Sequence, residues 1–168
     1  MNFIEFIRRD LEGSDIDTRR RAASELLKGI ATHYRDKVAP MVNSMVQTML
    51  ASCAENPAAN WKYKDAAIYL VTSLNTVKAN APNVLTGYFD LQSFFTLVIV
   101  QELQNQDVNS YPLLKAGTLK FLTVYRNQLP KANVIPLIPE VKSFLGCESN
   151  VVISYVAVFI VNFWLVKV

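Results

Sequence analysis

One histidine, two cysteines and five glycines in 168 residues leave few of the side chains from which catalytic and metal centres are built. His33 is the sole histidine, and no motif orients it toward Cys147 or a serine as a nucleophilic pair. The glycines form neither GxGxxG nor GxxxxGK, so a phosphate cradle has no material. Cys53 and Cys147 stand 94 residues apart in apolar company. That is neither the number nor the spacing of a disulfide framework or a zinc site, and both read as small buried hydrophobes in a reducing compartment. Asp10, Glu12, Asp15 and Asp17 lie close together, but they lack EF-hand spacing and have arginines beside them. The expectation is no enzyme, no cofactor and no metal.

An excess of one charge is missing too. The formal net charge is +3, and the first 37 residues mix eight Lys or Arg with seven Asp or Glu. A nucleic-acid surface needs a positive field rather than a mixed one, so no nucleic-acid partner is expected. The start, MNFIEFIRRDLEG, carries Glu5 inside its apolar run and Arg8 and Arg9 after it, the reverse of a secretory leader.

What the chain does have is apolar material, 51% against 18% charged, enough for a core and too much for disorder. Strand alternation is scarce, whereas apolar residues recur at three- and four-residue spacing. Eight helices follow, at about 3–9, 18–34, 37–55, 61–77, 91–104, 111–129, 133–145 and 150–168. The second shows an apolar stripe of Ala22, Ala23, Leu26, Leu27 and Ile30. The third shows Val38, Met41, Val42, Met45, Val46, Met49 and Leu50. Asn56-Pro57 stops the third helix, Ser110 and Pro112 open the sixth, and Pro136 and Pro139 bend or delay the seventh.

Every second helix carries a small or slim pair at the same place: Ala22-Ala23, Ala66-Ala67, Ala116-Gly117 and Val156-Ala157. Small residues let helices approach closely, and the intervals of 44, 50 and 40 residues bracket the 40–47 of HEAT and armadillo units. The expected fold is therefore all-α, an α-solenoid of about four HEAT-like helix pairs. Its approximate units are 1–35, 36–78, 89–129 and 131–168, and together they form one array, a piece of a longer solenoid.

The stretch RRDLEGSDIDTRRRAA, residues 8–23, holds five arginines and four carboxylates. As structure it is an inter-unit ladder, with Asp15 and Asp17 at the positive end of the second helix and Arg19, Arg20 and Arg21 following. As function, some of its charges meet a partner. NWKYKDAAIYLV, residues 60–71, has the same two readings: Trp61 anchors a helix start, or Trp61, Lys62 and Lys64 present an aromatic and two cations to a partner. Arg126, in YRNQLPK, either caps neighbouring carbonyls or touches cargo. The end of the chain, VVISYVAVFIVNFWLVKV, is apolar at 15 of 18 positions. That reaches the lower limit for a membrane span, but Ser154, Asn162 and Lys167 interrupt it. It is read instead as a solenoid helix awaiting a following unit, no membrane span, with self-association through 151–168 as the consequence.

Three blocks carry a resemblance: FIEFIRRDLEGSDIDTRRRAA, NWKYKDAAIYLVTSL and LQSFFTLVIVQELQNQDVNSYPLLKAGTLKFLTVYRNQLPK. In this order they resemble the importin-α re-exporters, the cellular apoptosis susceptibility exportins of the importin-β superfamily. The likeness covers most of this chain, ending near residue 152, and a small central part of a family member. It implies a non-enzymatic superhelical receptor that binds importin-α together with Ran-GTP in the nucleus and releases both in the cytoplasm. It also implies shuttling between those compartments, and partner-facing roles for Arg8, Arg9, Asp10, Glu12, Asp15, Asp17, Arg19 and Arg20. The alternative is a generic HEAT-repeat interaction scaffold without Ran dependence.

Overall fold

Asn56 and Pro57 settle how the first helices join. A proline has no N–H to give and a fixed φ, so it fits the first position of a helix, and an asparagine before it supplies an acceptor for the freed amides. Both occur here: in the computed structural model Asn56 Oδ1 accepts from the Ala59 amide at 3.2 Å, and the same residue ends the preceding helix. The structure describes residues 19–74, 89–105 and 107–165, together with Glu5, Ile7, Asp10 and Leu11. Among them are seven helices and no strand. They fall into two compact units, residues 17–91 and residues 1–16 with 92–168.

The unit of residues 17–91 holds α1 (Arg19–His33), α2 (Arg35–Glu55) and α3 (Pro57–Ser73). Only Tyr34 separates α1 from α2; its carbonyl accepts from Lys37 and Val38, both at 3.0 Å. Pro40 sits inside α2 and removes one backbone bond, without displacing the start of the helix. The expected helix from residue 61 starts instead at Pro57. Asn60 has a different task, donating from Nδ2 to the Ser52 carbonyl at 2.7 Å and so satisfying an orphan carbonyl near the end of α2. The core is Ala39, Val42, Val46 and Cys53 of α2 against Ala67, Ile68 and Val71 of α3, with Leu74 beyond it.

The stripe expected on α1 is out of phase. Leu26 is 66% exposed, Ile30, Ala22 and Ala23 are exposed as well, and the buried positions are Ser24 and Ala31. Seven residues make almost two whole turns, so Ser24 and Ala31 share a face with half-buried Leu27 and Lys28. Ser24 also meets the Tyr69 hydroxyl at 3.0 Å. The period was right and the face was not; on α2, too, Met41 and Met45 of the expected stripe are exposed.

In the other unit, α4 (91–104) runs through three segments: α-helical Leu91–Phe94, π-helical Phe95–Val100 and α-helical Gln101–Gln104. Its buried residues come in pairs exactly four apart: Phe94-Phe95, Val98-Ile99 and Glu102-Leu103. In a pure α-helix a spacing of four drifts about 40° per step, so the third pair would lie about 80° from the first. The wider π turns rotate the other way and keep all three pairs on one face.

Helix α5 (Pro112–Tyr125) follows and is the centre of this unit, with Leu114, Ala116, Leu119, Phe121 and Leu122 all buried. Tyr111, rather than Ser110, stands before Pro112 as the N-cap residue. Phe121 lies 5.7 Å from Phe94 and 4.6 Å from Tyr125, ring centre to ring centre. Segment α6 (131–146) alternates α-helical Lys131–Val134 and Ile138–Ser143 with 3-10 turns Ile135–Leu137 and Phe144–Gly146. Pro136 and Pro139 break the α ladder there without delaying its start. Helix α7 (Asn150–Leu165) packs Val151, Val152, Tyr155, Val156 and Phe159 into the core. The small pairs thus reach packed positions through Ala67, Ala116 and Val156, with Ala66 and Gly117 half-buried, whereas Ala22-Ala23 do not.

Candidate partner interface

Arg8, Arg9, Glu12, Asp15 and Asp17 lie outside the described residues, as does the side chain of Arg20. Arg19 is exposed as the first residue of α1. Trp61, Lys62 and Lys64 occupy the first half of α3: Trp61 and Lys64 are half-buried and Lys62 is exposed, its ammonium 6.0 Å from the centre of the Trp61 indole. That is the outer limit of a cation–π contact, so the lysine shields the ring loosely. Arg126 follows the last residue of α5, half-buried, with Nη1 donating to the Thr123 carbonyl at 2.7 Å. Its Nε is buried and has no hydrogen-bond partner among the described residues.

Asp10 is occupied from within the chain. Lys120 Nζ donates to its Oδ1 at 2.6 Å, and the Tyr155 hydroxyl donates to its Oδ2. The sequence marks neither donor, although a phenol inside the apolar run VVISYVAV requires an acceptor once it is buried.

A second buried polar group was not foreseen at all. The Lys115 side chain, 1% exposed in the first turn of α5, stands 3.4 Å from Oε1 of Glu102, itself 7% exposed. Its ammonium donates to the backbone carbonyls of Glu102 and, at 3.0 Å, Asn105, and lies 5.1 Å from the Phe144 ring centre. A lysine thus closes the carbonyl end of α4, where a cation is favoured. Electrostatics elsewhere are local and exposed. Hydrogen bonding to Lys28, then its charge, holds the Glu25 carboxyl below its ordinary range. Asp107 is lowered by the Ser110 side chain and backbone around it.

Among the described residues no group of three His, Cys, Asp or Glu side chains is placed to hold a metal ion, and no described helix is long and apolar enough to cross a membrane. Helix pairs with small residues at the crossings, and cationic and aromatic side chains set along helix starts and ends, define the HEAT-type class of helical-repeat proteins. Within that class the chain belongs to the Cse1 family, whose model matches residues 1–160. The match runs past residue 152, into the apolar last helix. Exportin-2 of Bos taurus is 44% identical over 159 residues, 93% of this chain and 16% of the relative. Exportin-2 of Xenopus laevis is 41% identical over 169 residues, 99% of this chain and 17% of the relative. The solved exportin Cse1, in its cargo-free, cytoplasmic state, superposes with a TM-score of 0.85 at 32% identity, covering 97% of this chain and 18% of that one. The chain therefore spans about a sixth of the length of the curated relatives it matches.

Proposed function

We propose that this chain is a non-enzymatic segment of a nuclear export receptor that carries importin-α out of the nucleus in complex with Ran-GTP. The observation that carries this reading is the 44% identity to Exportin-2 across 93% of the chain. It is supported by helical superposition on an exportin over nearly the whole length. The work is mechanical. Small shifts between stacked helix pairs, here four units forming part of a longer array, add up to winding, and two ligands binding together favour the wound state. Arg8, Arg9, Glu12, Asp15, Asp17, Arg19 and Arg20, with Trp61, Lys62, Lys64 and Arg126, are the candidate contacts. Their exposed members support that assignment. Such a receptor shuttles between nucleus and cytoplasm.

The test is a pull-down in which this segment replaces its counterpart in full-length Exportin-2, using importin-α with Ran loaded with GTP or GDP. Capture of importin-α that depends on the GTP form supports the proposal; indifference to the nucleotide defeats it. The last helix, with Val161 and Trp164 exposed, is proposed to pair two copies of the isolated chain. Light scattering that shows a strict monomer at high concentration removes that part.

A further inference from the structure

The Asp10 carboxylate reaches two helices at once, and neither of those helices carries an acidic residue. Lys120 on α5 and Tyr155 on α7 converge on its two oxygens. Tyr155 is 2% exposed, so its hydroxyl must find an acceptor within the fold. The Lys120 and Asp10 side chains are 28% and 24% exposed, shielded enough from water for a charge-assisted bond to count. Asp10 lies 110 residues from Lys120 and 145 from Tyr155 along the chain.

We propose that Lys120 and Tyr155 form a built carboxylate receptor on the α5–α7 pair, and that Asp10 is its internal ligand, strapping the amino-terminal segment to those helices. The strap rests on geometry within one compact unit and is independent of the transport reading. It makes Asp10 a positioning residue, set apart from the partner-facing charges on either side of it in sequence. Because the receptor recognises a carboxylate and little else, it accepts one from solution when Asp10 is removed.

Hydrogen exchange on the 168-residue chain tests this, with far-UV circular dichroism to show that each variant keeps its helices. D10N, K120M and Y155F should each speed exchange of the amides of Glu5, Ile7, residue 10 and Leu11, roughly tenfold for D10N, the scale of a lost hydrogen bond to a charged group. The D10N/K120M double variant should exchange no faster than D10N, because both remove the same contact. In D10A, acetate should shift the Tyr155 ring signals in proton NMR where chloride of equal ionic strength does not, while exchange at Leu11 stays fast because free acetate is not bonded to that segment. Unchanged exchange in D10N, or additive effects in the double variant, would overturn the strap; acetate acting no better than chloride would overturn the receptor.

Discussion

Replacing Lys115 with methionine keeps most of the stem and deletes the charge at the centre of the α4–α5 junction. Three acceptors lose their donor: the carbonyls of Glu102 and Asn105 and the Glu102 carboxylate. Of these the carboxylate decides the magnitude, because at 7% exposure it cannot recover its hydration. Removing one member of a buried ion pair costs about 3–5 kcal/mol, and the orphaned carbonyls keep the expectation inside that range rather than below it. Glu102→Gln breaks the same pair from the other side: Lys115, 1% exposed, keeps both carbonyls and the Phe144 ring but loses its counter-ion, so the expected loss lies in the same range of about 3–5 kcal/mol. Urea unfolding of the 168-residue chain, followed by far-UV circular dichroism with the slope compared between variants, measures both. K115M within roughly 1 kcal/mol of the parent would refute the assignment of Lys115 as the donor that closes α4.

Ala67 is fully buried, so Ala67→Leu should lose about 1–3 kcal/mol by overpacking, measured by the same unfolding experiment. Ala22→Leu, on the exposed face of α1, should stay within about 0.5 kcal/mol, and a large loss there would restore the face first expected. Phe121→Ala removes the ring between Phe94 and Tyr125 and should cost about 3–5 kcal/mol. Asp107 has a folded pKa below its ordinary value, so its contribution is present above the unfolded pKa and is lost as pH falls through the lowered folded one. A carboxyl-carbon NMR titration should therefore place its midpoint below that of a free aspartate; a midpoint at or above the free value contradicts the Ser110 contacts.

The helical kind of seven of the eight expected elements was legible, the expected helix over 3–9 lying largely outside the described residues, because spacing of three and four residues survives almost any tertiary arrangement, and the Pro and Asn stops act on the local backbone alone. The face of α1 was not legible. Ala22, Ala23, Leu26 and Ile30 make as good an apolar stripe as the face carrying Ser24 and Ala31, and only the seating of α1 on α2 and α3 chooses between them. Asn56-Pro57 was read as a stop and proved to be a start as well, because one residue can end one ladder and cap the next. Lys115 was invisible for a different reason. Two of its acceptors are backbone carbonyls at the end of another helix, and the backbone leaves no trace in a pattern of side chains. Of the partner-facing candidates, Trp61, Lys62 and Lys64 were readable as a local cluster on one helix, whereas the attachment of Asp10 depends on residues more than a hundred positions away.

The wide turns of α4 bear on how this rod came by its length. Excise Leu97, whose side chain is 62% exposed, and the buried pairs fall at offsets 0, 3 and 7, the seam of an ordinary α-helix. Phe95–Val100 thus holds one surplus residue, an insertion absorbed on the solvent side, where Thr96 and Leu97 lie, while the packed side kept its partners. A rod of 13 residues with Leu97 deleted should therefore dock in the same cradle with all three buried pairs still on one face.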